Sequence, residues 1–362
     1  MNMSSVEEKI RLIESVGEEI IQKDELKTLL ESGEPLIAYD GFEPSGQMHI
    51  AQGILRTINI NRLTKAGVKF KMFVADWHAM ANNKMGGDLD KIQDVGNYFI
   101  EVWKACGMDM KNVEFIWAST IAKDPEYWKL VVQVGKTNAL KRFVRTAEMM
   151  GREDSLEGLT GAHVIYSCMQ VADIFTLGCK ITQLGMDQRK VNMLAREIGP
   201  QLGFWKPVVI SHHMLRGLGK PIEETTDKTK RAMELKMSKS KPDTALFMTD
   251  SSDDVKRKVN KAYCLEGDIT DNPILEYCKH IVFASQKDLT IKRPEKFGGT
   301  IVLDTYEELE RKFEAKEIHP MDLKSAVADA LDRLIQPVRE HFEKDTEASA
   351  LLNRIKSYAV TR

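Results

Sequence analysis

The chain has 362 residues, 43% hydrophobic and 29% charged, which suits a globular protein with a large core and room for two domains. Lys and Arg number 52 against 54 Asp and Glu, so the basic signature of a nonspecific DNA binder is absent, while a local basic face toward RNA stays compatible. The five cysteines form no C-x-x-C pair and no metal-ligand spacing, and the early residues are too charged for a signal peptide or membrane span; a reducing, cytoplasmic location with no membrane partner and no structural metal is expected.

In chain order, Ser5 to Glu8 reads as a capping box for an amphipathic helix with Val6, Ile10, Ile13 and Val16 on one face. An apolar run at 35–39 predicts a buried strand. It is followed by a Gly/Pro/Ser-bearing loop and then Ile50, Ile54 and Ile58 at helical spacing. Gly67 stands where that helix is capped, and 70–75 is the next strand. Strand, loop, helix and strand make a βαβ unit, so the loop from Tyr39 to Gln52 lies at the carboxyl end of a strand and opens a helix. Free backbone N–H groups and the helix dipole favour phosphate there. The loop carries neither G-x-G-x-x-G nor Gly-Lys-Ser/Thr, so neither a dinucleotide fingerprint nor a Walker loop is present.

Met85-Gly86-Gly87 predicts a turn, about 90–105 a helix, and 113–117 a strand. From about 126 to 177 the pattern is helical and includes a basic run, Lys136, Lys141, Arg142 and Arg145, which reads more readily as a solvated face than as an RNA contact. A strand at 180–184 precedes Gly185-Met186-Asp187-Gln188-Arg189-Lys190, which opens a helix, and 208–210 is a further strand. A polar loop at about 217–235 leads to Lys236-Met237-Ser238-Lys239-Ser240. Beyond about 248 the texture turns to charged helices at 253–262, 273–283, 305–315 and 321–341, with little strand signal. The expectation is an α/β doubly wound, Rossmann-like parallel sheet over 1–247, followed by a smaller helical domain over 248–362.

Two loops carry the chemistry. Lys236 and Lys239 place two ammonium groups on one loop, with Ser238 between them, and His49 stands in the loop some 190 residues upstream. In this order the chain resembles the class I aminoacyl-tRNA synthetases, whose signatures read HIGH and KMSKS. The second matches letter for letter. The first departs, because His49-Ile50-Ala51-Gln52 keeps the leading histidine, adds one methyl at Ala51 and offers the Gln52 amide in place of an imidazole. The activation step needs no proton carrier, since a carboxylate attacks the α-phosphorus in line and pyrophosphate leaves. Positioning and charge neutralisation suffice.

A third set is Tyr166, Gln170 and Asp173, at i, i+4 and i+7 on one helical face crowded by Met169, Val171 and Ile174. This run resembles the substrate helix of tyrosyl-tRNA synthetases of the archaeal and eukaryotic cytosolic kind, nearest the plant and protist members. So do Tyr39, the 185–190 run, and His319-Pro320-Met321-Asp322-Leu323-Lys324. The resemblance implies that Tyr39 and Asp173 bind the substrate phenol, while Tyr166, Gln170 and Gln188 hold its ammonium and Asp76 adds a carboxylate. It implies Gly41, Gly46, Gly185, Asp187, Met214 and Leu215 around ATP, with His49, Gln52, Lys236, Ser238 and Lys239 at the phosphates. Asp322 and Phe297 would read the anticodon, with His319 and Lys324 near, and Arg189, Lys190 and the 141–145 basic run would meet the acceptor stem. L-tyrosine, ATP with Mg²⁺, the tyrosine tRNA and a second copy of the chain are the partners implied, with the dimer surface sought at about 105–170. A tryptophanyl-tRNA synthetase, a small-molecule nucleotidyltransferase and a non-catalytic RNA-binding descendant are the other readings. The first is the nearest, although an indole has no use for Tyr39 and Asp173 facing a hydroxyl.

Overall fold

The computed structural model describes residues 5–146, 159–221, 237 and 242–358. Lys236, Ser238 and Lys239 therefore lie outside the described residues.

Six strands form the main sheet: β1 Gly17–Ile21, β2 Ile37–Phe42, β3 Lys69–Val74, β4 Val113–Trp117, β5 Ile181–Thr182 and β6 Val208–His212. Their order is β1-β6-β5-β2-β3-β4. All neighbours run parallel except β1, which closes one edge antiparallel to β6. From β2 the chain winds outward through β3 and β4, then returns to the other side of β2 with β5 and β6. The switch point between β2 and β5 opens a crevice at the strands' carboxyl ends, where a doubly wound sheet binds its ligands.

Alternation along the strands sends neighbours to opposite faces. Ala38, Phe70 and Met72 join one apolar cluster, which also holds Ile54, Ile60 and Phe99. Tyr39 and Phe73 join the other, with Tyr166, Ile174 and Val191. Burial on both faces explains why the strands read as apolar runs rather than as strict alternation.

The helix expected after the first loop begins as a π turn, Ala51–Leu55, before continuing as Arg56–Lys65. Such turns cluster at functional sites because the extra residue re-aims the backbone. Gly53 is required there: an added Cβ would stand 2.6 Å from the Met248 side chain. Gly67 ends the helix in the left-handed region at φ +87°. Ser5 caps the first helix, Val6–Glu14, by accepting from the Glu8 N–H, as the capping box predicts.

After residue 248 the helices Ser252–Lys261, Tyr306–Glu314 and Pro320–Lys344 match the expected ones. The run at 273–283 is divided into Pro273–Tyr277, a π turn at Cys278–Val282 and Phe283–Ser285. Several elements were not read from the pattern. They include the short helices Asp76–Ala81 and Ala118–Ile121, β1, the helix Lys23–Glu31, a hairpin of β7 Leu289–Ile291 with β8 Ile301–Leu303, and the final helix Thr346–Ser357. Strands of three residues carry too few alternations to register. The first apolar cluster continues from the sheet into Ile274, Leu331 and Phe342, so hydrophobic packing is continuous across residue 248.

Candidate active site

A cavity of about 460 Å³ lies at the switch point. At its floor the helix Gly161–Thr176 presents Tyr166, Gln170 and Asp173, and Tyr39 approaches from β2. Asp173 is 1% exposed. One of its oxygens accepts from the Tyr127 hydroxyl at 2.9 Å, and the other lies 3.0 Å from His78 Nε2. Burial, and after it the Asp173 charge, push both the Tyr39 and Tyr127 hydroxyls well above the usual phenol range, so both keep their protons. A substrate hydroxyl placed here meets a carboxylate acceptor and a phenol able to donate.

Above the floor, Gln170 Nε2 donates to Gln188 Oε1 at 3.1 Å. Tyr166 is held against Glu43, and burial followed by that carboxylate raises its hydroxyl pKa. Glu43 in turn accepts from Asn82 at 3.0 and 3.1 Å and lies 3.6 Å from Lys84. The turn carrying Lys84 runs through positive φ at Asn83, Met85, Gly86 and Gly87, a local strain of the kind that collects at ligand sites. Carboxylate, two amides and a phenol make a rim suited to an ammonium.

The other end of the cavity is lined by Gly41, Ser45, His49, Gln52, Gly185 and Asp187, together with the segment His212–Leu215. Beneath it Arg56 is buried and joins β2, the residue after β5, and the end of β6. Its Nε lies 2.7 Å from Asp40 on β2, its Nη2 donates to the Gln183 carbonyl at 2.9 Å, and its Nη1 donates to His212 Nδ1 at 3.0 Å. Burial, then Arg56 and His213, push His212 well below the usual imidazole range. His212 is therefore neutral, with Nδ1 accepting and its proton on Nε2. Burial pushes Asp40 up to about 6, Arg56 opposing and the Asp187 charge adding to the shift. At Gly185 an added Cβ would stand 2.5 Å from Met214 Sδ and 2.6 Å from Asp187 Oδ1, so a larger residue would have to displace these two side chains.

Both flanks of the second loop are tied to this end. Met237 donates its N–H to the Leu215 carbonyl at 3.1 Å. Ile50 donates to Leu246 O at 2.8 Å and Met248 donates to Met48 O at 2.9 Å, so the residues after the loop pair with the His49 segment. Trp103 Nε1 donates to the Gln52 carbonyl at 2.7 Å and fixes that backbone.

Several expected residues stand elsewhere. Asp76 is fully buried and does not line the cavity: its oxygens accept from the Trp77 and Ser119 N–H groups and from Gln93 Nε2. It braces the start of the helix Asp76–Ala81. Gly46 shapes the loop from φ +67° rather than lining the cavity. Arg189 is paired with Glu19 at 2.6 and 3.1 Å. Lys324 is buried, its ammonium donating to the Asn260 carbonyl at 3.1 Å. Asp322 lines a second cavity of about 420 Å³, with Lys287, Lys292, Asp329 and Arg333. His319 caps the long helix by accepting from the Met321 N–H, and Phe297 is 60% exposed. Tyr127, His78, Glu43, Asp40 and Arg56 were not foreseen, because no spacing links them. The one legible signal was an unpaired Asp and Arg among the apolar residues of the βαβ unit.

The family model for class I tRNA synthetases (W and Y) matches residues 31–336. A cytoplasmic tyrosine–tRNA ligase of Arabidopsis thaliana is 47% identical over 99% of this chain and 90% of its own. The chain belongs to the tyrosine–tRNA ligase family of class I tRNA synthetases. A tyrosyl-tRNA synthetase structure from Pyrococcus horikoshii, complexed with L-tyrosine, superposes with a TM-score of 0.90 at 37% identity, covering 97% of this chain and 100% of that one. A tryptophanyl-tRNA synthetase from Aeropyrum pernix reaches a TM-score of 0.66 at 19% identity over 93% of this chain and 85% of its own, a likeness of fold alone. The fold of the family is thus the fold described above, and its tyrosine members are nearer than its tryptophan member.

Proposed function

We infer that this chain activates L-tyrosine with ATP and transfers the tyrosyl group to its tRNA. The observation that carries the reading is the cavity floor. Asp173 and Tyr39 are two buried groups with unlike hydrogen-bonding capacity, and a phenol satisfies both. Phenylalanine would cover them without bonding to either, forfeiting the hydrogen bonds that a phenol makes there.

With the phenol seated there, the ammonium meets Tyr166, Gln170, Gln188 and Glu43, and the substrate carboxylate points to the His49 end. ATP lies with its adenine at Met214 and Leu215, its ribose at Gly185 and Asp187, and its phosphates at the loop of Gly41, Gly46, His49 and Gln52. The carboxylate oxygen attacks the α-phosphorus, the bond to the bridging oxygen breaks, and pyrophosphate leaves with both electrons. His49, Lys236 and Lys239 neutralise the charge that develops on the phosphates, with Ser238 beside them. A ribose hydroxyl of the tRNA terminus then takes the acyl group and AMP leaves. Mg²⁺ arrives on the ATP phosphates. Among the described residues no group of three His, Cys, Asp or Glu is placed to hold a metal.

The second cavity, mixing Asp322 and Asp329 with Lys287, Lys292 and Arg333, suits a flipped base and its phosphate, which supports the anticodon role of the 248–362 region and of Phe297 and His319. Lys324 serves that region from inside, as a tie between helices. Lys190 faces the acceptor end, with Arg189 available only by exchange from Glu19. Exposed Val132, Leu140 and Ile165 in the 105–170 segment supply an apolar face for a second copy of the chain. A cytosolic location is supported by the relatives named cytoplasmic tyrosine–tRNA ligases. No helix among the described residues is long and apolar enough to cross a membrane.

ATP–pyrophosphate exchange by the purified protein tests the reading. Exchange driven by tyrosine and not by tryptophan is expected. Exchange driven by tryptophan, or by neither, overturns it.

A further inference from the structure

The segment 213–216 is held from outside the sheet domain. Glu276, on the helix Pro273–Tyr277, accepts at Oε1 from His213 Nε2 at 2.9 Å and from the Arg216 backbone N–H at 2.8 Å. Its Oε2 lies 2.9 Å from Arg216 Nε. The neighbouring Tyr277 hydroxyl donates to the Arg216 carbonyl at 3.1 Å, and Arg216 also pairs with Asp271. One carboxylate, 11% exposed, thus bonds both ends of a four-residue segment whose middle two, Met214 and Leu215, line the cavity. Leu215 in turn receives Met237 from the second loop. Few arrangements leave so short a segment less freedom to withdraw.

The surroundings of His213 reinforce the hold. Its Nδ1 faces Glu18 on β1 at 3.0 Å, its ring stacks on His280 with centroids 4.4 Å apart and planes 10° apart, and His212 precedes it with Arg56 behind. Burial disfavours its charge, yet the bonds and charges of Glu18 and Glu276 outweigh this and lift it to about 9. Burial, then the charge of His213, pushes His280 down to about 3, so a neutral ring lies on a charged one.

We propose that Glu276 is a positioning residue for ATP: from the helical domain, its carboxylate sets the register of Met214 and Leu215 against the adenine. This rests on the assignment of that end of the cavity to ATP. Binding of the nucleotide, rather than the chemical step, is what the contact governs, because Glu276 touches no reacting atom.

The test is steady-state ATP–pyrophosphate exchange with wild type, Glu276→Gln and Arg354→Ala. The last cuts a different tie of the C-terminal region, Arg354 Nε to Asp94 at 3.1 Å, which lies apart from 213–216. Glu276→Gln is expected to raise KM for ATP about tenfold, the scale of one hydrogen bond to a charged group. Its kcat and its KM for tyrosine should stay within about twofold, and Arg354→Ala should lower the melting temperature without moving KM for ATP. An unmoved KM for ATP in Glu276→Gln, or a rise shared with Arg354→Ala or with tyrosine, overturns the proposal and leaves the ATP site standing. Absence of tyrosine-driven exchange in wild type overturns both together. Should Glu276→Gln fail to fold, His213→Gln removes one bond only and is expected to raise KM for ATP about threefold; no rise there also overturns the proposal.

Discussion

At the scale of single residues, the proposed specificity rests on Asp173, a carboxylate with partners inside the protein. Asp173 is bonded to Tyr127 and lies against His78, both within the protein, so its charge is supported before any substrate arrives. Under the proposed function, preorganisation of this kind would lower the cost of binding a phenol. Asp173→Ala is expected to lower tyrosine-driven exchange by at least about a hundredfold, from loss of a buried charged acceptor. The far-ultraviolet circular dichroism spectrum should be unchanged. Unchanged exchange kinetics would move the phenol site elsewhere. Asp76 teaches the opposite lesson. A carboxylate following a strand in the right place is here consumed by two backbone N–H groups and one amide, and it serves the fold.

At the scale of elements, glycine marks where two pieces of chain come closer than a side chain allows. Gly199 shows this away from the cavity, at the end of the helix Arg189–Ile198. A Cβ there would lie 2.4 Å from the Trp205 carbonyl and 2.9 Å from the Phe175 ring. Backbone cannot swing aside as a flexible side chain can. Gly199→Ala is therefore expected to destabilise by about 1–3 kcal/mol through overpacking. A fall of several degrees in melting temperature checks this; no fall would mean that the loop at 203–207 yields freely. The π turn at Ala51–Leu55 is a second case of an element shaped by its neighbours, since Gly53 clears Met248 and Trp103 holds Gln52.

At the scale of the whole molecule, sheet and helical region share a continuous apolar cluster and several polar ties. Among these ties the His213 cluster predicts a pH dependence. Its pKa is raised from the ordinary 6.5 to about 9 in the folded chain, so the stability it contributes is fully present below about 6.5 and is lost as pH rises through about 9. Melting temperature should fall between about pH 7 and 10 in wild type, and less steeply in Glu276→Gln, which has already lost one of the two carboxylates. Equal slopes would assign the effect to other groups. The proposed recognition of tRNA belongs to the same scale. Asp322→Ala is expected to raise KM for tRNA several-fold while sparing adenylate formation, because its cavity lies in the other region from the site of activation. Loss of adenylate formation with tRNA binding intact would reverse the roles of the two regions.

The sequence by itself determined the periodic and the contiguous. Long helices, apolar strands, the His49 loop, the Lys236–Lys239 motif and the Tyr166, Gln170 and Asp173 face all lie within one element's repeat, where spacing fixes neighbourhood. Short strands β1, β7 and β8 escaped because a few residues carry no period and depend on partners far along the chain. Only the tertiary structure decided which polar side chains converge. Tyr127 reaches Asp173 across 46 positions, Arg56 reaches Gln183 across 127, and Glu18 reaches His213 across 195. Such pairs are made by the winding of the sheet and not by any local preference, so no window of sequence holds both partners.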